Sequence, residues 1–345
     1  MKQSIKLNLL ILMLAGALFL PLQSATATVL KIATVSPEGA TWMVKMREGA
    51  KEIKQRTNGR VKFKFYSGGV MGSDASVLRK IKIGQLHGGA VTGGSLLSIY
   101  PDLSLYSLPF VFRSLEEVDA VRDKMDAILI EGLEDKGFVT FGLAEGGFAY
   151  LMSNNKVQST DDLKDQKVWV DSGDKVTQTV FETASVDPVP LPVSDVMTGL
   201  QTGLIDTVAT SPIAAIALQW HTRVKYMTDT PLSYFFAMLT VSKKAFNKIA
   251  PQDQAVIREV MARTFAEINK QNRIDNQGAR QALKNQGIKF VDVASEILNG
   301  WKQTAHVATR RLAEEQLVSP AMYNKMQDIL TSYRNSQSSV AAKNK

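Results

Sequence analysis

The sequence predicts an α/β fold of two domains with a cleft between them, and three observations predict it. Short apolar runs of strand length alternate with segments of helical spacing along most of the chain. At 345 residues the chain is longer than one hydrophobic core usually serves. A single helical pattern from Pro251 to Leu283 would span about 50 Å at 1.5 Å per residue, so it is expected to touch both domains.

The first residues have the pattern of a secretory leader. Lys2 and Lys6 precede the apolar run Leu9–Leu20, and Ala25-Thr26-Ala27 supplies a small-x-small cleavage pattern. The run is shorter than the roughly twenty apolar residues of a membrane-spanning helix. Residues 1–27 are therefore expected to be removed on export to the periplasm. There is no cysteine, which excludes a disulfide scaffold, thiol catalysis and thiolate metal sites.

The mature chain opens with Val29–Val35 as a strand, turns at Ser36-Pro37-Glu38-Gly39, and continues as a helix over Trp42–Arg56. Asn58-Gly59 stops that helix, and Val61–Tyr66 alternates as a strand with one buried face. A helix over Val77–Ile83, a strand over Gly88–Val91 and a helix starting at Gly93-Gly94-Ser95 follow. Leu115–Lys136 is helical, Gly137 ends it, and Phe138–Leu143 is the next strand. A second α/β unit begins near Tyr150, with a strand at Lys167–Val170, a helix over Thr177–Ala184 and an extended piece at Val189–Leu191. Asp195 is expected to cap a helix running to Thr202, and Ile205–Ala209 is a strand. Phe235–Val241 is a strand suited to crossing between the units.

This order implies a largely parallel sheet. Domain I is expected over residues 28–148 with about 236–270, and domain II over 149–235 with about 271–335. Residues 336–345 are expected to be a flexible tail.

Net charge is +8, with Lys and Arg dispersed among acids as in Lys51-Glu52-Ile53-Lys54. Nucleic-acid binding would need a basic stripe with stacking aromatics, and the sequence has none. Material for catalysis is equally thin. His87, His221 and His306 stand far apart, and no zinc-protease, nucleophile-elbow or dinucleotide motif occurs. The glycine-rich Ser67–Gly72 lacks the Lys-Ser/Thr of a phosphate loop and is expected to be a turn. A non-catalytic binding protein without cofactor or metal is the expected class, and a periplasmic enzyme is the alternative.

Several stretches in order carry a family resemblance: Gly59-Arg60-Val61, Gly69–Ser73, Ile83–Leu86, Leu108–Phe112, Leu163–Val168 and Gly199–Asp206. From about Val29 to Lys302 the chain resembles the extracytoplasmic receptors of tripartite ATP-independent periplasmic (TRAP) transporters, of the dicarboxylate-binding type. The resemblance implies a periplasmic-binding-protein-like fold of two α/β domains with a central cleft, hinge strands and a long helix across both. It also implies a monomer that captures a small organic solute and delivers it to the membrane subunits of a TRAP transporter. A receptor serving an ATP-driven transporter or a sensor shares this logic.

In that family an arginine commonly follows the lysine of the Leu163–Val168 stretch by two residues, where it grips a ligand carboxylate. This chain has Trp169 there. A second arginine commonly follows a Gly-Phe pair, and here Gly147-Phe148 leads to Ala149. Both departures point away from a simple dicarboxylate.

The strand ends that would face the cleft supply the candidates. Trp169 could stack on the ligand or plug the core, and Trp42 could do either. Phe148 and Tyr150 lie at the domain crossing. Glu38, Glu145 and Asp171 could bond hydroxyls or an amine. Gly94 and Ser95 could aim backbone N–H groups at a carboxylate or carbonyl oxygen. Thr210 and Ser211 complete the set. The expected solute is neutral, hydroxylated, amine-bearing or partly aromatic, with a monocarboxylate still allowed.

Overall fold

The computed structural model describes residues 27–343. The leader expected over residues 1–27 thus lies, except for its last residue, outside the described residues.

Domain I is built on β1 (Thr28–Thr34), β2 (Val61–Tyr66) and β3 (Gly88–Thr92), with β1 parallel to both neighbours. β3 is buried along its whole length, which suits its near-continuous small and apolar sequence. The helix α1 (Thr41–Arg56) links β1 to β2, and α2 (Asp74–Lys82) links β2 to β3. α1 ends as expected, because Asn58 and Gly59 take positive φ values of 49° and 76°. Ser73 caps α2 by accepting from the Ser76 amide. After β3 the expected helix at Gly93 is only a single 3-10 turn, Gly94–Leu96.

α3 (Leu115–Asp135) leads into the two-residue strand β4 (Phe138–Val139) and then β5 (Leu143–Ser153). β5 has eleven residues and does not stop at Tyr150, where the second unit was expected to begin. Its first half pairs with β10 (Ser233–Ser242) and its second half pairs with β8 (Thr207–Thr210) and β9 (Tyr226–Thr228). One strand therefore belongs to both domains. The sheet runs β11-β9-β5-β10-β3-β1-β2, where β11 is Lys289–Val291. It is mixed and not largely parallel, since β10 runs antiparallel to β3 and β5, and β5 antiparallel to β8 and β9.

Domain II adds the short parallel pair β6 (Trp169–Asp171) and β7 (Val189–Leu191). α4 (Asp161–Lys164) precedes β6, α5 (Lys175–Thr183) follows it, and α6 (Val196–Thr202) and α7 (Pro212–Ala217) flank β8. Asp195 occupies the N-cap of α6, but its carboxylate bonds the Ser194 hydroxyl and caps no amide. Gly203 ends α6 in the left-handed conformation. After β10 come the one-turn α8 (Lys243–Phe246) and the long α9 (Pro251–Asn285), whose 35 residues pack on α1 in domain I and on α7 in domain II.

Two further helices, α10 (Ser295–Glu314) and α11 (Pro320–Lys343), follow β11. α10 packs on α5 and α11 on α3, so the end of the chain also clasps both domains. The expected tail is helical as far as Lys343. Separate cores lie on the two faces of the domain I sheet, one with α3 and α11, the other with α1 and α9. Domain II has its own cores around Trp169–Trp220 and around Trp301. Among the described residues no helix is long and apolar enough to cross a membrane.

Candidate functional site

A cavity of about 710 Å³ lies between the two domains. Domain I lines it with the loop after β1, including Gly39–Trp42, and with Thr92 and Gly94 after β3. Domain II contributes Trp169, Asp171, Thr210 and the first turn of α7. Apart from Trp169, which opens β6, these lie at or just beyond the carboxyl ends of strands, where α/β sheets gather their ligands. Phe235 and Phe236 of β10 form the back, and Asn272, Asp275 and Ala279 of α9 form another side.

A β-bulge shapes the back wall. The pairing of β5 with β10 slips by one residue between Phe235 and Phe236, which leaves Gly146 unpaired. Only glycine fits there, because a Cβ on Gly146 would come within 2.1 Å of the Phe235 ring. The next residue, Gly147, has φ at +88°.

Trp169 is 8% exposed and belongs both to the cavity wall and to the core. One part of the side chain lines the cavity, and the ring packs edge-on to Trp220 at 5.2 Å and 73° within the domain II core. Its indole N–H donates to the Leu191 carbonyl at 2.9 Å. The donor is spent inside the protein, so Trp169 offers a ligand apolar ring surface and no hydrogen bond.

Among the described residues lining the cavity there is no arginine, lysine or histidine, while Glu145, Asp171, Asp174 and Asp275 are present. Glu145 is 1% exposed and its carboxylate is taken by Arg273, at 2.9 and 2.8 Å, and by the Tyr234 hydroxyl at 3.1 Å. Asp275 accepts from Thr41 and Gln271, each at 2.7 Å. Asp174 caps α5 through the Thr177 amide and hydroxyl. Among the described residues Asp171 has no cationic partner. Burial, then the nearby charges of Asp74 and Asp174, push its carboxyl up to about 7. Burial raises Asp74 and Asp174 as well. No group of three or more acids or histidines among the described residues is arranged to hold a metal ion.

The structure thus brings Trp42, Gly94, Glu145, Trp169, Asp171 and Thr210 of the expected set onto one cavity. Glu38 faces away: it is exposed, bonded to Arg47 and Ser67, and the Arg47 guanidinium holds its carboxyl below the usual range. Phe148 packs edge-on to Tyr234 in the domain I core, and Tyr150 lies beneath the Arg280 guanidinium, both off the cavity wall. Ser95 faces an adjoining cavity of about 1090 Å³, and its amide donates to the Thr92 hydroxyl. That amide is not free for a ligand. Ser211 is buried before α7, off the wall, with no partner for its hydroxyl among the described residues. Sequence reasoning missed Trp220, Phe235, Asn272 and Asp275. The periodicity of α9 marked its buried stripe but not which of its polar residues meet the cleft.

Residues 32–316 match the family of bacterial extracellular solute-binding proteins, family 7. A protein named solute-binding protein from Verminephrobacter eiseniae is 26% identical over 78% of this chain and 81% of its own length. The C4-dicarboxylate-binding periplasmic protein DctP of Rhodobacter capsulatus is 22% identical over 75% of this chain and 78% of its own. Among solved structures, a TRAP periplasmic solute-binding protein from Citrobacter koseri with bound D-glucuronate superposes with a TM-score of 0.80 at 24% identity, covering 87% of this chain and 99% of that one. A sugar-acid-binding protein from Advenella mimigardefordensis in complex with galactonate gives 0.83 at 19% identity over 89% and 99%. The shared fold is two α/β domains around a cleft, and the family match spans both domains. The chain belongs to the family 7 bacterial extracellular solute-binding proteins.

Proposed function

We propose that this chain is a periplasmic receptor that captures a small organic solute between its domains and delivers it to the membrane subunits of a TRAP-type transporter, without chemical turnover. The observation that carries the ligand chemistry is the cavity wall: three tryptophans and two phenylalanines with several carboxylates and no basic side chain among the described residues. A dicarboxylate would be desolvated beside Asp171 and Asp174 with no guanidinium to receive it. An amine or a set of hydroxyls would donate to those carboxylates, and a ring or apolar face would cover Trp169. Relatives bind C4-dicarboxylates and sugar acids by name, and the hydroxyl-rich sugar acids are nearer to this wall than the dicarboxylates are.

Thermal unfolding of the mature protein against a panel of dicarboxylates, sugar acids, sugars, amines and aromatic compounds tests this reading. A ligand at 100 times its Kd stabilises by about 2.7 kcal/mol, a shift of several degrees. Hits among amines, polyols or hydroxylated monocarboxylates, recovered chemically unchanged, are expected. A hit confined to dicarboxylates would overturn the ligand class. A consumed ligand would overturn the receptor.

A further inference from the structure

Beside the cavity the two domains touch through a small polar cluster whose hydrogen bonds do not balance. The Thr92 hydroxyl of domain I lies 3.1 Å from Asp171 Oδ2 of domain II, 3.2 Å from Asp74 Oδ2 and 2.9 Å from Ser95 Oγ. Ser95 Oγ lies 3.0 Å from the same Asp74 oxygen. These are four oxygen–oxygen contacts, and two hydroxyls supply two protons. The approach is close by construction. A Cβ on Gly94 would stand 2.9 Å from Asp174 Cβ, and one on Gly173 would stand 3.2 Å from Ser95 Cα. Two glycines therefore let the domains meet here backbone to backbone, between the ligand cavity and the adjoining one.

We propose that closure of the cleft takes up one proton, held on Asp171 where it meets Thr92 and Asp74 across the domains. With that proton Asp171 donates to Thr92, Thr92 donates to Asp74, and Ser95 donates to Asp74. Three of the four contacts then carry a proton and a single charge remains. That charge, on Asp74, also accepts the Thr92 amide at 2.8 Å. Without the proton, two carboxylates face each other across the interface through one hydroxyl. In the open state Asp171 meets water and regains an ordinary acidity, so protonation favours closure.

The Thr92 hydroxyl and the Gly173 amide donate to Asp171 and favour its charged form, but burial and the neighbouring charges outweigh them. Asp174 at the start of α5 adds like charge, and Asp74 is the carboxylate on α2. Arg79 and Lys82 of α2, Lys136 after α3, and Lys175 of α5 line the adjoining cavity, and none bonds the cluster. Lys175 donates to Gln178 instead. Burial and the two neighbouring acids hold Asp171 at about 7 in this closed contact, against 3.8 for a free carboxyl. Between those values each pH unit changes the closed-to-open ratio by up to about tenfold.

The test needs no ligand, so its failure would leave the receptor reading standing. Small-angle scattering and tryptophan fluorescence of the ligand-free protein are followed from pH 4.5 to 8.5. The wild type is expected to be compact at low pH and to open as pH rises, with Trp169, two residues from Asp171, reporting the change. Asp171→Asn, whose amide donates to Thr92 at every pH, is expected to stay compact throughout. Asp74→Asn removes the facing charge and is expected to move the response to lower pH, because the Asp74 charge is one of the neighbours that raise Asp171. A wild type with no pH response, or an Asp171→Asn protein that responds like the wild type, would overturn the proposal.

Discussion

Trp169 stands where the family resemblance led to the expectation of an arginine, and its surroundings show what the tryptophan does. The indole N–H is bonded to Leu191 and the ring rests on Trp220, so the side chain is both wall and core. Trp169→Ala is expected to cost about 3–5 kcal/mol of stability in urea titrations, the usual loss for a buried tryptophan. It should also weaken ligand binding by about 1–3 kcal/mol, as loss of an aromatic platform does. Trp169→Phe separates the two, since it keeps the ring surface and loses the bond to Leu191. Asp171 carries the second expectation at this scale. Its folded acidity lies at about 7, above 3.8 when unfolded, so the folded protein holds a proton that the unfolded chain releases. The stabilisation is complete below about pH 4 and is lost as pH rises through 7. Melting temperatures of Asp171→Asn should therefore vary less between pH 4.5 and 8 than those of the wild type. The sequence placed Asp171 at the end of a strand and Trp169 within it, and the structure puts them at opposite ends of the three-residue β6. Sequence reasoning placed Glu38 wrongly, because nothing local says that Arg47, nine residues on, will take its carboxylate.

At the scale of elements, patterning and capping residues read well and lateral pairing did not. The helices over Trp42–Arg56, Leu115–Lys136 and Pro251–Leu283 are present within a few residues of their expected limits, since each has a buried stripe at helical spacing. Most short strands moved by at most two residues, but the one expected over Phe138–Leu143 keeps only Phe138–Val139 before β5 begins at Leu143. A three-residue strand such as β6 is held by its neighbour β7 and not by its own alternation. The direction of β10 was not legible, because its apolar run suits either orientation and only its partners β3 and β5 decide. The bulge at Gly146 belongs to this scale as well. Gly146→Ala places a methyl group in the Phe235 ring, so β5 or the ring must move. The expected cost is about 1–3 kcal/mol of stability, together with a measurable loss of ligand affinity by calorimetry, because Phe235 lines the cavity. Unchanged affinity would show that the ring moves away from the ligand.

The whole molecule is two domains joined by no free linker. β5 and α9 each run through both, and α10 and α11 clasp the two from outside. Scattering with saturating ligand should show a more compact particle, with the change confined to a rotation about these crossings. Identical profiles with and without ligand would count against closure. The two-domain plan was legible because chain length and the long helix required it, whereas the clasp by the last helices was not. Their docking faces are separated in sequence from the helices they cover by well over a hundred residues.

That repeated crossing has a consequence for how the chain comes into being. The inner edge of β3, at Gly88–Thr92, waits for Ala237–Val241, which are made roughly 150 residues later. Until that segment arrives, the N-terminal sheet has an exposed apolar edge and no completed core, and loop closure over such a distance is slow. A ribosome-bound or truncated chain ending before β10 is thus unable to settle into a native half. It stays threadable, which is the condition a polypeptide must keep if it is to pass through a membrane pore before it folds.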